Sequence, residues 1–118
     1  MLLFSGMIDI REYHDDSGRS PFREWFDRLN PEASQKVTTS LYRVGLGNFS
    51  QVKSVGGGVF ECKIHFGPGY RVYFGKEGER IVILLGGGTK QRQQHDIRLA
   101  LDRWKDYKRQ KKLRKDEE

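Results

Sequence analysis

Residues 59–75 contain the pattern that decides the fold: Val59-Phe60-Glu61-Cys62-Lys63-Ile64-His65-Phe66, then Gly67-Pro68-Gly69, then Tyr70-Arg71-Val72-Tyr73-Phe74-Gly75. Apolar and polar side chains alternate on both sides of a glycine-proline-glycine turn, which is typical of a β-hairpin. A three-residue turn places Phe66 opposite Tyr70 and brings the apolar side chains of both strands onto one face. In this register His65 is the cross-strand neighbour of Arg71, and Lys63 is the neighbour of Tyr73.

The opposite face of the predicted hairpin collects its polar side chains, namely Glu61, Lys63, His65, Arg71 and Tyr73. Cations and a phenol on one surface of a sheet indicate a site for a polyanion. A solvated outer face explains the same residues, because antiparallel sheets commonly expose one side to water. The hairpin alone leaves both interpretations open.

Composition limits the possible classes of protein. The chain has 118 residues, a net charge of +6 and a pI of about 9.6, so we expect one domain spanning 1–118 with an acidic partner. Its single cysteine, on the apolar face of the hairpin, excludes an internal disulfide, and its three histidines show no metal-ligand spacing. No apolar run approaches the roughly 20 residues of a membrane span. We therefore expect a cytoplasmic protein without a metal or other cofactor.

The remaining elements follow from hydrophobic spacing and turn residues. A short strand is predicted over 7–13, and Ser20-Pro21 and Asn30-Pro31 each mark the start of a helix. Residues 48–58 are predicted to be a connector, and 80–85 a central strand that the glycines at 86–88 end. A long helix follows over about 91–111, with 111–118 as a frayed tail. The order β-α-α-β-β-β-α predicts an α+β domain with a small, mainly antiparallel sheet covered by helices.

The polar face has the residue types that RNA cleavage requires. Attack by a 2′-hydroxyl needs a base, an acid, and cations that stabilise the phosphorane. Arg71 suits the phosphorane because its guanidinium offers paired donors. His65 or Lys63 could serve as the base, and His65 or Tyr73 as the acid. The same residue types also suit plain RNA binding.

Two further segments carry candidate residues. Gly86-Gly87-Gly88-Thr89-Lys90 lacks the spacing of a nucleotide-binding phosphate loop, so its glycines are interpreted as a strand exit that allows close backbone approach. Lys90 follows that exit and is expected to face the open side of the sheet. His95 lies near the start of the last helix beside Asp96, whose charge suits a first helical turn.

Several motifs together resemble a known family. These are Gly58 to Ile64, Gly67-Pro68-Gly69-Tyr70-Arg71-Val72-Tyr73-Phe74, Leu84-Leu85-Gly86-Gly87-Gly88-Thr89-Lys90, and the helix opening Ser20-Pro21-Phe22-Arg23-Glu24-Trp25-Phe26. The chain is similar over about residues 7–109 to the phage-derived, HigB-like killer proteins of the RelE/ParE toxin superfamily. The resemblance implies the same order of elements as the hydrophobic pattern.

The resemblance also implies a function. Such a protein is the toxin of a type II toxin–antitoxin pair, held inactive by an antitoxin, here expected to be a helix-turn-helix protein that alone contacts DNA. Many members are mRNA interferases that cut translated mRNA on the ribosome without a metal. By position, Arg71 matches the family's phosphate-stabilising strand arginine, and Lys53, Lys63 and Lys90 match its basic positions. These four residues form the expected RNA-binding set.

The general base and acid remain unassigned at this point. The candidates are Lys63, His65, Tyr73, Lys90 and His95, whereas Tyr107 belongs to the apolar stripe of the last helix. Our leading hypothesis is a ribosome-dependent mRNA endonuclease that inhibits translation. The superfamily also contains gyrase inhibitors, so a non-catalytic toxin that binds a protein target is an alternative. A basic RNA- or DNA-binding module is a third.

Overall fold

The computed structural model of the protein describes residues 7–117, so residues 1–6 and Glu118 of the predicted domain lie outside the described part. It confirms the α+β class, with a mostly antiparallel sheet and helices packed on it. The elements are, in chain order, β1 (Asp9–Glu12), α1 (Pro21–Asp27), α2 (Pro31–Gly45), β2 (Val52–Gly56), β3 (Val59–Ile64), β4 (Tyr70–Glu77), β5 (Ile81–Thr89), a 3-10 turn (Lys90–Arg92) and α3 (Gln93–Glu117).

The five strands form one sheet in the order β1-β5-β4-β3-β2. Strand β1 is parallel to β5, and the other neighbours are antiparallel. The prediction that residues 48–58 form only a connector is wrong, because this segment contains strand β2. It is an edge strand with a bulge between Ser54 and Gly56, and only Val52 and Val55 of its residues are partly buried against the core. Its hydrophobic signal is therefore weak.

Both predicted helix starts are confirmed. The Ser20 hydroxyl accepts the Arg23 backbone N–H at 3.0 Å, and the Asn30 side-chain oxygen accepts the Ala33 N–H at 2.8 Å. Each cap satisfies an N–H that the first helical turn would otherwise leave unpaired. Proline follows each cap at the first helical position.

The sheet separates two apolar clusters. Helices α1 and α2 pack on one face, against side chains such as Cys62, Val72 and Phe74. Helix α3 packs on the other face, where Trp104 contacts a cluster that includes Tyr73 and Ile83. The prediction that the hairpin has one apolar face is thus confirmed for the side that faces α1 and α2.

The predicted hairpin register is wrong by two residues. Ile64, and not Phe66, lies opposite Tyr70, and Lys63 pairs with Arg71. Strand β3 ends at Ile64, so the connection to β4 has five residues, His65 to Gly69. Because a shift of two preserves strand alternation, the same side chains share the apolar face in both registers.

The glycines at 86–88 do not end the strand, since β5 continues to Thr89. They are needed because helices lie directly on them. A Cβ on Gly87 would lie 2.3 Å from the Trp25 ring, and one on Gly88 would lie 1.9 Å from the Asp96 carboxylate. The prediction that these glycines allow other elements to approach the backbone closely is confirmed.

Helix α3 extends to Glu117, so residues 111–117, predicted as a frayed tail, continue the helix. The strand predicted over 7–13 is shorter, Asp9–Glu12. Every helix between residues 7 and 117 is too short or too polar to serve as a membrane span.

Candidate functional site

Helix α3 covers only part of its face of the sheet. It packs over β5 and the second half of β4, where Tyr73, Ile83 and Leu85 are buried. The part formed by β2, β3 and the start of β4 is left open as a cleft of about 270 Å³. We call this the cationic cleft, and it is lined by Ser50, Gln51, Val52, Lys53, Glu61, Lys63 and Arg71.

Glu61 organises the cationic cleft. Strand alternation directs its side chain toward α3, and the residue is only 1% exposed. One carboxylate oxygen accepts the Gln93 side-chain amide at 2.7 Å and lies 3.5 Å from Arg71 Nε, while the other lies 3.8 Å from Lys53 Nζ. A buried carboxylate without such partners would be unstable, so Glu61 and the two cations fix one another.

Arg71 lies at the floor of the cleft, 4% exposed. Its Nη1 donates to the Gly69 carbonyl at 3.0 Å, whereas Nε has no hydrogen-bond partner among residues 7–117. The same Gly69 carbonyl accepts the Lys90 backbone N–H at 3.0 Å. The backbone of Lys90 therefore lies near the Arg71 guanidinium, although this residue belongs to the turn after β5.

The two remaining predicted cations lie on the cleft walls. Lys63 is exposed and sits directly across from Arg71 in the β3–β4 ladder. Lys53 is exposed on the edge strand β2, opposite Glu61. Of the four predicted RNA-binding positions, Lys53, Lys63 and Arg71 thus line one cleft, and Lys90 adjoins it through Gly69.

His65 is not the cross-strand neighbour of Arg71, contrary to the prediction, because it follows the end of β3. Its Nε2 lies 2.8 Å from the side-chain oxygen of Gln51. It lines a neighbouring cleft of about 480 Å³ between α2 and the end of β3. Gln51 and Lys63 line both clefts, so His65 stands at the rim of the cationic cleft.

Tyr73 lies behind the cleft and does not line it. Its predicted neighbour was Lys63, but it pairs with Glu61 and is 1% exposed. Burial raises the pKa of the Tyr73 phenol, and the Glu61 carboxylate adds to that rise. The hydroxyl has no hydrogen-bond partner among the described residues. Tyr73 in this position cannot reach a substrate in the cleft.

His95 belongs to a different surface. It lines a cleft of about 370 Å³ between α1, the glycines of β5 and the start of α3, together with Trp25 and Asp96. Burial raises the pKa of the Asp96 carboxyl, opposed by nearby cations that include Arg92. None of the side chains that line the cationic cleft lines this cleft.

Cys62 points to the α1 and α2 side and is 2% exposed, as predicted for a small core residue. Burial raises the pKa of its thiol to about 11, so it stays protonated and is a poor nucleophile. Within residues 7–117, no group of three or more His, Cys, Asp or Glu side chains is placed to hold a metal ion.

Sequence reasoning missed the central role of Glu61 and did not place Gln51 or Gln93 at the site. Alternation put Glu61 on the correct face, which was the available signal. The contact with Gln93 depends on where α3 begins on the sheet, a tertiary feature that no local pattern reports.

Comparison with known proteins identifies the family of this chain. A family model described as "Phage derived protein Gp49-like" matches residues 24–105, which include every residue that lines the cationic cleft. An uncharacterized protein of Haemophilus influenzae (strain ATCC 51907 / DSM 11121 / KW20 / Rd) is 42% identical over 80 residues, covering 67% of this chain and 81% of that protein. The chain therefore belongs to the phage-derived Gp49-like family.

Proposed function

We propose that this protein is the toxin of a type II toxin–antitoxin pair and that it cuts mRNA on the ribosome through the cationic cleft. The observation that carries the proposal is the Arg71 guanidinium, fixed by Glu61 and the Gly69 carbonyl at the floor of an open cleft walled by lysines. Membership of a family associated with RelE-like toxins supports the same conclusion.

The cleft offers positive charge where a reacting phosphate would accumulate negative charge. In the proposed reaction a ribose 2′-oxygen attacks the adjacent phosphorus, and the bond from phosphorus to the 5′-oxygen breaks. The products are a 2′,3′-cyclic phosphate and a 5′-hydroxyl. Arg71 and Lys53 stabilise the phosphorane, because preorganised cations in a partly dry site act where charge develops.

The proton transfers need groups that solvent and substrate can reach. Lys63 and Lys90 are exposed on opposite sides of Arg71, and His65 stands at the rim. We assign the base and the acid among these three residues. Tyr73 is excluded by burial and His95 by its position on another cleft.

Glu61 is a positioning residue in this proposal. Both of its oxygens already engage donors or cations, and it is 1% exposed. Its task is to hold Arg71 and Lys53 in place.

Induction of the protein in cells, followed by mapping of mRNA 5′ ends, tests the proposal. Wild type should create new ends in phase with codons, and Arg71→Ala should remove them. Because Arg71→Ala also leaves Glu61 buried without its partner, the exposed Lys63→Ala serves as a second variant and should reduce the ends as well. Arg80→Ala is a matched control, because it removes an exposed arginine next to β5 and away from the cleft.

Three outcomes would contradict the proposal. Growth arrest with intact mRNA and damaged DNA would favour a gyrase-type protein target. RNA binding without growth arrest or new ends would favour a simple binding module. New ends that persist in Arg71→Ala would show that the cleft does not perform the cleavage.

The proposal includes an antitoxin partner that neutralises the toxin. A small helix-turn-helix protein encoded beside this chain should bind it and suppress the growth arrest on co-expression. Co-purification of the two proteins measures the binding directly. Arrest that continues despite a stable complex would contradict neutralisation by that partner.

A further inference from the structure

The stripe of α3 that faces the sheet changes character along the helix. Up to Tyr107 it is apolar and packs on the sheet, through Ile97, Ala100, Leu101, Trp104 and Tyr107. Beyond Tyr107 the same helical spacing continues with basic residues, which are Arg114 and, along one groove, four lysines. We call these lysines the lysine stripe: Lys108, Lys111, Lys112 and Lys115.

The lysine stripe borders an open groove beside the end of β4. The groove has a volume of about 340 Å³ and is lined by the stripe together with Lys76, Glu77, Trp104 and Tyr107. The rings of Trp104 and Tyr107 stack on each other, with centroids 5.4 Å apart and planes 3° apart. They form the apolar floor between the lysines and the sheet.

Most of the positive charge in this groove is not neutralised locally. Glu77 is its one lining carboxylate, and it pairs with Lys111 and accepts the Tyr107 hydroxyl. Within residues 7–117, Lys108, Lys112 and Lys115 have no carboxylate at ion-pair distance, whereas the Lys76 amine lies over the Phe49 and Phe60 rings on the other face of the sheet. Asp106, two residues before Lys108, is instead engaged by Tyr13 and Arg109.

The favourable interaction of lysines with a helix C-terminus does not explain the whole stripe. That interaction fades beyond the last turn of a helix, and α3 ends at Glu117. Lys108 and Lys111 lie more than one turn before the end. Their placement on one face, along an open groove with Lys112 and Lys115, indicates a binding surface.

This surface is separate from the cationic cleft. Arg71 and Glu77 are six residues apart on β4, which corresponds to roughly 20 Å at about 3.3 Å per strand residue. No side chain lines both the groove and the cleft. A ligand in the groove therefore does not occupy the floor around Arg71.

We infer that the lysine stripe binds the phosphate backbone of double-stranded RNA, as a second RNA contact that does not take part in cleavage. Lys108 to Lys115 spans about 10 Å along the helix axis at ~1.5 Å per residue, enough to meet several phosphates of a duplex. The ligand class rests on the proposed function, in which the substrate and its ribosomal surroundings are RNA.

A row of lysines along an open groove suits a phosphate backbone, because lysine binds phosphate as a point charge and needs no fixed planar geometry. Phosphate contacts position a protein without reading bases, so the surface should bind duplexes regardless of sequence. Its contribution should decline strongly with salt.

Binding of a blunt, fluorescently labelled RNA duplex to the purified full chain, measured at several salt concentrations, tests this inference. The stripe variant carries Lys108→Gln, Lys112→Gln and Lys115→Gln. We expect it to lower affinity at least about tenfold at low salt and to reduce the salt slope by about 2–3, near 0.9 per lost phosphate contact. Folding should be unaffected because these side chains are exposed.

The matched control replaces three exposed cations outside the groove, with Arg80→Gln, Arg98→Gln and Lys105→Gln, and so removes the same charge. It should change duplex affinity and salt slope much less than the stripe variant. Equal losses in both variants would show that only net charge matters and would overturn the inference. Absence of duplex binding by the wild type would also overturn it.

Two results separate this inference from the proposed nuclease. Arg71→Ala should abolish cleavage, and the stripe substitutions should lower duplex affinity by the same factor in the wild-type and Arg71→Ala backgrounds. Duplex binding through the stripe by a wild type that makes no new mRNA ends would refute the nuclease alone. If the stripe variant loses the antitoxin and keeps the duplex, the surface serves an acidic protein and the inference is wrong.

Discussion

Glu61 holds two cations at similar distances, but burial should make their energetic effects very different. The carboxylate lies 3.5 Å from Arg71 Nε and 3.8 Å from Lys53 Nζ. The Arg71 side chain is 5% exposed and the Lys53 side chain is 67% exposed. Water therefore screens the second pair and hardly reaches the first.

The change Glu61→Gln keeps the shape of the side chain and removes the charge. It leaves the Arg71 guanidinium buried without an anion, which typically costs about 3–5 kcal/mol of unfolding free energy. Lys53→Ala breaks only the exposed pair, so it should cost about 0–1 kcal/mol. We therefore predict a much larger loss of unfolding free energy for Glu61→Gln than for Lys53→Ala.

Urea denaturation of the purified variants measures both losses. A double variant, Glu61→Gln with Arg71→Met, supplies the control, because removal of both charges should restore much of the stability lost by Glu61→Gln alone. A loss of unfolding free energy for Glu61→Gln no larger than that for Lys53→Ala would refute this prediction. A double variant that is less stable than Glu61→Gln by the full cost of Arg71→Met alone would refute it equally.

Three further predictions address the fold and the cleft. Gly75→Ala should lower the free energy of unfolding by about 1–3 kcal/mol or more in thermal or urea unfolding, because its Cβ would lie 2.4 Å from the Trp104 indole of α3. Its control, Gly45→Ala, meets ordinary contacts at 3.6 Å and should be neutral or stabilising. Tyr13→Phe should cost about 1.5–3 kcal/mol near neutral pH through its lost 2.6 Å hydrogen bond to Asp106. That bond, with Arg109, lowers the pKa of Asp106 below its ordinary 3.8. The stability that this carboxylate contributes is therefore present above pH ~4 and is lost as the pH falls through the lowered pKa. In denaturation series at stepped pH, the difference in unfolding free energy between wild type and Tyr13→Phe should become smaller over that range. Lys63→Ala should reduce RNA cleavage in the end-mapping assay and leave the melting temperature within a few degrees, because its side chain is exposed; a large loss of stability would show that it has a structural role.

Local chemistry predicted the helices well and the strand pairing less well. Ser20 and Asn30 followed by proline located both helix starts, because capping depends on a few adjacent residues. The register depends on the length of the turn, and the chain leaves the ladder at His65 and not at Gly67. Alternation survived the two-residue error, which is why the core faces were correct and the pairs were wrong.

The glycines of β5 show a second limit. Three successive glycines usually end a strand, and only the packing of Trp25 and Asp96 onto the backbone explains why these continue it. Strand β2 escaped prediction for a related reason, since an edge strand held by two valines has little hydrophobic periodicity. Both features arise from tertiary contacts.

The candidate site was predicted as a set of charges and not as an arrangement. The positions of Lys53, Lys63 and Arg71 followed from the sheet face and from the resemblance to known toxins. The burial of Glu61 and Tyr73 was not accessible, because it depends on how far α3 extends over the sheet. The amino-acid pattern thus located the surface, and the packing of α3 determines which of its residues can touch a substrate.

The chemistry of the RNA ends is the most direct test of the central claim. Purified protein should be added to ribosomes that translate a defined mRNA, after removal of free metal ions from the toxin, and the termini of the fragments should be identified. We predict 2′,3′-cyclic phosphate and 5′-hydroxyl ends that disappear with Arg71→Ala. Fragments with 3′-hydroxyl and 5′-phosphate ends, or an mRNA that stays intact under the wild-type protein, would contradict it.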